Sequence, residues 1–221
     1  MSATIICFDV ETSGFSPQTD EMVQLAAMAI DGDTLEIIED SEFNTLIKPV
    51  NILSGTEEEI RLKWAKSNKA WEVNKKTRAE LEKAPLPEHV WKQFNNYVKK
   101  YSKGGFTGKP IAAGHNIQGF DLAWLDEWSK RFDKKDKQQL FNGRTVLDTL
   151  NLCYLWFNNL PNAPVSYSFD NLRPWLGVSN EGFHDALADV KITSDLLIRF
   201  LKLHRHYGPK VKFAGSFAKK D

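Results

Sequence analysis

The sequence predicts an α/β protein in which a mixed five-stranded sheet is flanked by helices. Strand-like apolar runs come early and close together, and in the second half of the chain short strands alternate with amphipathic helices. Because the early runs have short connections, we expect three strands in an antiparallel meander, joined by two further strands from the second half.

The first predicted strand, residues 5–12, ends in two carboxylates although the rest of it is apolar. Asp9 and Glu11 are two residues apart, so they point to the same face as Ile5 and Cys7. Burying this pair is costly unless a positive charge lies between them, and the nearby basic residues fall in predicted loops. A divalent cation is therefore the expected partner.

The rest of the meander follows from three more apolar runs. Turn formers occupy residues 13–20, and the runs lie at residues 22–30, 35–38 and 43–47. The Asp-Gly-Asp sequence at 31–33 is a hairpin signal between the second and third runs of the chain.

Residues 51–86 are rich in charge and tryptophan, and we predict a helical insertion within a single domain of residues 1–207. Trp64 and Trp71 are seven residues apart and would share one helical face. We favour a surface segment whose tryptophans pack on the core. The alternative is a nucleic-acid platform of aromatic and basic side chains.

Pro87 opens a predicted helix, residues 110–114 form a short strand, and a second helix begins near Gly119. Its inward face would begin with Asp121, followed by the apolar side chains Trp124, Leu125, Trp128 and Phe132. A carboxylate in this position is either a ligand or a first-turn acid favoured by the helix dipole.

Beyond a basic loop at 130–144, we predict a strand at 145–148 and helices at 150–157 and 168–176. The last helix starts at Asp185, and Asp189 heads its inward apolar stripe. His184 is about 140° from Asp189 on a continuous helix, so we expect it in the loop before the helix. Asp185 would be the N-cap, and Gly182 would permit the break.

Composition limits the classes of protein to consider. With 29 basic and 29 acidic residues the net charge is zero, so the whole chain is not a basic nucleic-acid binder. Two cysteines without CxxC spacing, and no signal or membrane-spanning pattern, predict a soluble cytoplasmic protein without a membrane partner. The basic tail, residues 208–221, is expected to be solvated, with docking to nucleic acid as the alternative.

Four acids thus occupy inward positions at the ends of separate elements: Asp9, Glu11, Asp121 and Asp189. An all-oxygen set suits Mg²⁺ or Mn²⁺ rather than zinc. Two such ions about 3.5 to 4 Å apart can promote cleavage of a phosphodiester. His184 would then be the general base for the attacking water.

Three stretches resemble, in order, the exonuclease motifs of the DnaQ-like DEDDh family: FDVET at 8–12, HNIQGFD at 115–121 and HDALAD at 184–189. Residues 167–178 also resemble the family's stretch before the third motif. The resemblance implies a ribonuclease H-like fold and 3′ to 5′ removal of nucleoside monophosphates with two Mg²⁺ or Mn²⁺ ions. Histidine rather than tyrosine in the third motif argues against the DEDDy branch.

Roles carried over from this family assign metal binding to Asp9, Glu11, Asp121 and Asp189, with Asp9 bridging and His184 as the base. The backbone around Thr12 and Ser13 and the side chain of Phe15 would lie beside the terminal nucleotide. His115 and Asn116, in the second motif, are further candidate substrate contacts.

The expected substrate is single-stranded DNA or a DNA 3′ end, in proofreading, repair or degradation, with a DNA polymerase as a candidate partner. The same chemistry on RNA is the first alternative, because 2′-hydroxyl recognition is not readable in the sequence. A non-catalytic module that binds nucleic acid or a polymerase is the second alternative. Endonuclease activity is less expected.

Overall fold

The computed structural model describes residues 3–105, 108–133, 140–178 and 184–211, and it contains a five-stranded mixed sheet with helices on both faces. The strands are β1 (Ile5–Thr12), β2 (Met22–Ile30), β3 (Phe43–Leu46), β4 (Ile111–Gly114) and β5 (Val146–Asp148). Their order is β3-β2-β1-β4-β5, with β1, β2 and β3 antiparallel and with β4 and β5 parallel to β1. The predicted meander and the two added strands are confirmed.

In the described ranges, eight α-helices connect and cover the strands: α1 (Glu57–Lys66), α2 (Asn68–Asn74), α3 (Arg78–Lys83), α4 (Pro87–Lys100), α5 (Asp121–Phe132), α6 (Thr149–Phe157), α7 (Phe169–Leu176) and α8 (Ala186–Tyr207). A single 3-10 turn, Gly208–Lys210, follows α8. Among these helices none has the length and apolar character needed to cross a membrane.

β1 is the central strand of the sheet, and the side chains on its two faces pack in two different hydrophobic cores. Ile6, Phe8 and Val10 pack with side chains of α4 and α5 on one face. Ile5 and Cys7 pack against α8 on the other. This alternation is the one that the period of two predicts, and it places Asp9 and Glu11 on the α8 face.

The apolar run at 35–38 does not form a strand, contrary to the expectation. Leu35 has a left-handed φ of 58° and closes a turn in which its N–H donates to the Asp31 carbonyl at 2.9 Å. The Leu35 side chain is buried, and Ile37 makes only an isolated bridge with Ile30. The third strand of the meander is therefore β3, which pairs with Gln24–Ala27 of β2.

The charged segment folds into the three short helices α1, α2 and α3. Thr56 and Thr77 each form a capping box, at the starts of α1 and α3. Trp64 and Trp71 lie on different helices because Ser67 ends α1 and precedes α2, yet their rings stack at 4.4 Å. The buried side chains that fasten this segment to β2 are Val23, Ile52, Trp71 and Leu81.

The other predicted elements are found with small shifts in their ends, and Gly177 stops α7 in a left-handed conformation with φ 73°. Gly182, residues 134–139 of the basic loop and residues 212–221 of the basic tail lie outside the described ranges.

Candidate metal centre

β1 delivers two carboxylates to the start of α8. Asp9 and Glu11 lie on the face of β1 that α8 covers, and Asp189 lies in the first turn of α8. One carboxylate oxygen from each of these three residues lies within 4.8 Å of the others. The structure thus brings together three of the four predicted ligands.

Asp121, the fourth predicted ligand, lies beside this group rather than within it. It is the first residue of α5, is 2% exposed, and its Oδ1 accepts the N–H of Val10 at 3.0 Å. That hydrogen bond ties it to β1 between Asp9 and Glu11. The charge of the Asp121 carboxylate raises the pKa of Asp9, so Asp121 contributes to the same electrostatic site.

Burial sets the protonation of these acids when no cation is present. It raises the pKa of Asp9 well above its ordinary value, and the Asp121 and Glu11 carboxylates add to the shift. Burial also raises the pKa of Glu11 and of Asp121, each to about 8. A divalent cation would offset both the desolvation and the repulsion, and the all-oxygen donor set fits Mg²⁺ or Mn²⁺.

His184 lies in the loop before α8, as expected, with a left-handed φ of 54°. Its Nε2 lies 3.8 Å from Oδ1 of Asp170 on α7. Burial lowers the pKa of His184, and the Asp170 carboxylate opposes that shift only in part. The imidazole is therefore neutral at pH 7 and able to accept a proton.

The residue after His184 is fixed from three directions. Asp185 caps α8 by accepting the N–H of Ala188 at 3.3 Å. Its Oδ2 also accepts from Gln24 Nε2 of β2 and from Lys76 Nζ, each at 3.0 Å. Since Lys76 lies between α2 and α3, the charged segment contacts the loop that carries His184.

Two basic side chains act on the acidic cluster, Arg173 from helix α7 and Lys76 from the loop between α2 and α3, contrary to the expectation that basic residues stay away from these faces. Arg173 of α7 is buried and forms an ion pair with Asp189. Among the neighbouring charges, that of Lys76 lowers the pKa of Glu11 the most. Sequence reasoning missed both, although Arg173 lies four residues after Phe169 and next to Leu172, on the inward stripe of α7.

Thr12 and Ser13 form a fixed turn at the end of β1. Thr12 Oγ1 donates to the Gly14 carbonyl at 2.6 Å, and the Thr12 carbonyl accepts from Asn74 Nδ2 of α2 at 3.1 Å. The Ser13 hydroxyl accepts the N–H of Glu21 at 2.9 Å, and Ser13 N–H donates to the Glu21 carbonyl at 2.8 Å. The turn beside the carboxylates is held in place before any substrate binds.

Phe15 is 89% exposed and lines a cleft of about 920 Å³ that begins at Glu11. The same cleft is also lined by residues of α1, α2 and the Ser67 junction, including Lys66, Lys69 and Val73. A solvent-exposed aromatic ring beside basic side chains is suited to stack on a nucleobase.

His115 is engaged within the fold. Its Nδ1 lies 2.9 Å from Thr149 Oγ1, its Nε2 lies 2.8 Å from the Tyr167 carbonyl, and its ring stacks on Phe169 at 4.1 Å. Its neighbour Asn116 is exposed, with a left-handed φ of 57°. These contacts give His115 a part in holding α7 in place.

Asp148, a residue that sequence reasoning treated only as the end of a strand, organises the turn before α5. Its carboxylate caps α6 and accepts the N–H groups of Asn116 at 2.9 Å and of Gln118 at 3.3 Å. The signal for it was an acid directly before a predicted helix, the usual position of an N-cap.

A carboxylate cluster at the end of the central strand of a mixed sheet is suited to hold divalent cations, and a neutral histidine before the last helix can accept a proton. The family model described as "Exonuclease", of the RNase T type, matches residues 6–197, and the chain belongs to this exonuclease family. The match runs through the charged segment of residues 51–86.

Relatives and solved structures agree with this assignment. DNA polymerase III PolC-type of Thermotoga maritima is 30% identical over 206 residues, which is 93% of this chain and 12% of that protein. DNA polymerase III subunit epsilon of Aquifex aeolicus is 24% identical over 202 residues, 91% of this chain and 82% of that protein. The chain thus spans about an eighth of the PolC relatives' length.

The fold is similar to that of part of E. coli exonuclease I, solved in a zinc-bound complex with single-stranded DNA. The TM-score is 0.69 at 20% identity, over 95% of this chain and 42% of that chain.

Proposed function

We propose that the protein is a 3′ to 5′ exonuclease that acts on DNA 3′ ends, releases nucleoside 5′-monophosphates and requires two Mg²⁺ or Mn²⁺ ions. The observation that carries this is the convergence of Asp9, Glu11 and Asp189 within 4.8 Å, with His184 just before the same helix. The names of the PolC and epsilon relatives, both parts of DNA polymerase III, support DNA as the substrate, and we propose proofreading as the role.

Asp9, Glu11 and Asp189, with Asp121 beside them, would hold the ions. When bound, the ions would supply Lewis-acid stabilisation of the phosphate and of the leaving oxygen. Neutral His184 would accept a proton from the water that attacks phosphorus, as the bond from phosphorus to the 3′ oxygen breaks. The turn at Thr12 and Ser13 and the ring of Phe15 would orient the terminal nucleotide.

Proofreading implies that the protein acts together with a DNA polymerase. It also implies a cytoplasmic location. For this chain both are proposals, drawn from the relatives' names and from the two reduced cysteines.

The test is time-resolved product analysis on 5′-labelled single- and double-stranded DNA and RNA of matched sequence with Mg²⁺. We expect a ladder that shortens one nucleotide at a time on DNA, and none with Asp9→Ala. Asp126→Asn, an exposed acid on α5, is the matched control and should keep full activity.

Mononucleotide release by Asp9→Ala would overturn the proposed mechanism. Preference for the RNA oligonucleotide would show that the substrate is RNA rather than DNA. Tight binding without cleavage at any Mg²⁺ or Mn²⁺ concentration would show that the protein is a non-catalytic binding module. Internal cuts would identify an endonuclease.

A further inference from the structure

Arg173 is the most deeply buried basic side chain at the metal centre. It is 1% exposed and forms an ion pair with Asp189. Arginine is rarely buried to this extent unless it is paired, because its charge loses hydration. Here the partner is one of the three carboxylates that converge on the candidate metal site.

The guanidinium is held in this position by an aromatic stack. It lies 5.3 Å from the ring centroid of Phe169, one turn earlier on α7. Phe169 is stacked in turn on His115, whose ring nitrogens contact Thr149 and the Tyr167 carbonyl. The charge is therefore placed by rigid elements rather than by a flexible loop.

Asp189 is not the only acid that this charge reaches. Arg173 also interacts electrostatically with Asp9 and Glu11, the other two members of the group. The arginine thus supplies a positive charge where a metal ion would supply one. A divalent cation among the same oxygens would lie close to the guanidinium and be repelled by it.

We propose that Arg173 is a resident counter-ion that competes with the divalent metal for Asp189, so that metal loading requires the Arg173–Asp189 ion pair to open. The proposal rests on the proposed function in that it assumes a metal at these carboxylates. Arg173 then sets the metal affinity of the site and balances the charge of Asp189 while the metal is absent.

Two other roles for Arg173 make different predictions. A purely structural arginine that joins α7 to α8 would stabilise the fold equally with and without metal, and its loss would leave metal affinity unchanged. An arginine that binds substrate phosphate would lower DNA affinity when removed, again without a gain in metal affinity.

The experiment is titration calorimetry with Mn²⁺ alone on the full chain, for the wild type, Arg173→Gln and Arg199→Gln. Arg199 is the matched control because it is exposed on α8 and pairs only with Asp195 of its own helix in the described contacts. We expect Arg173→Gln to bind Mn²⁺ at least about tenfold more tightly, since a like charge next to the ion is gone. Arg199→Gln should bind as the wild type does.

Thermal unfolding gives a second measurement. In EDTA, Arg173→Gln should melt below the wild type, because Asp189 loses the partner of its ion pair. Saturating Mn²⁺ should then raise its midpoint by more than it raises that of the wild type. Equal loss of stability with and without Mn²⁺, or unchanged or weaker Mn²⁺ binding, would overturn the proposal.

Arg173→Lys covers the case in which the glutamine variant does not fold. Lysine keeps the charge but lacks the planar guanidinium that lies against Phe169, so its Mn²⁺ affinity should stay within a few-fold of the wild type or rise. A clear fall would overturn the proposal. If the wild type itself binds no Mn²⁺, the proposed function fails; if it binds and cleaves while Arg173→Gln binds equally well, only this inference fails.

Discussion

We propose that His184, which lies immediately before the N-cap of α8, accepts the proton of the attacking water, and this role can be tested directly. His184→Gln removes the proton acceptor, so we expect kcat to fall by about 10² to 10⁴-fold while Mn²⁺ binding is kept. Burial holds the pKa of His184 below its usual 6.5, so wild-type activity should be level near pH 7 and decline only below pH 6.5 as the ring gains a proton.

The measurement is kcat on a 5′-labelled DNA oligonucleotide between pH 5 and pH 8.5. The variant should lack the acidic decline that His184 causes. His89→Gln, an exposed histidine on α4, serves as the control and should match the wild type. An unchanged kcat in His184→Gln would assign the proton transfer to another group.

Among the site residues, the sequence predicted those whose type conflicts with their position. Asp121 and Asp189 stand at the head of apolar helical stripes, and the structure buries both. Arg173 has the same kind of signal, but its partner comes from α8, and no local spacing indicates which elements meet. Lys76 was hidden for the same reason, since its contact with Asp185 spans 109 residues.

The helices of the charged segment depend on one small apolar cluster for their attachment to β2. Leu81 of α3 is completely buried in it against Val23, Ile52 and Trp71. Leu81→Ala should lower the free energy of unfolding by about 2–5 kcal/mol, because it leaves a cavity where few neighbours can close in. Urea unfolding followed by tryptophan fluorescence measures this loss.

Hydrogen exchange shows where the loss occurs. Amides of α2 and α3 should lose more protection than those of β1, because the cluster lies on one side of the sheet. Val73→Ala on α2 is the control, since Val73 is 45% exposed and should cost far less. Equal costs for the two variants would mean that the cluster does not anchor the segment.

Hydrophobic periodicity predicted the long helices and strands correctly but mispredicted short ones. α5 and α8 were predictable because their apolar stripes extend over three or more turns. The run at 35–38 has strand-like composition, but Leu35 turns into the core from a left-handed backbone, a choice made by the tertiary fold. The spacing of Trp64 and Trp71 suggested one helix because seven residues fit two turns, whereas Ser67 separates two helices.

Across the whole molecule, acidic and basic residues balance, so any attraction for nucleic acid has to be local. The cleft that begins at Glu11 is lined by Lys66 and Lys69 as well as by Phe15. Both lysines are exposed, and both come from the charged segment. That segment therefore supplies positive charge to a site whose own residues are mostly acidic.

If these lysines contact the DNA backbone, they contribute to the slope of the binding constant against salt concentration. Lys66→Gln with Lys69→Gln should weaken binding of single-stranded DNA to the Asp9→Ala protein and reduce the slope of log K against log salt by about 0.7 for each lysine. Fluorescence anisotropy at several salt concentrations gives the slope. Lys92→Gln with Lys99→Gln, exposed on α4, makes the same change in net charge away from the cleft. A slope that falls equally in both double variants would mean that total charge, rather than the two lysines of the cleft, attracts the strand.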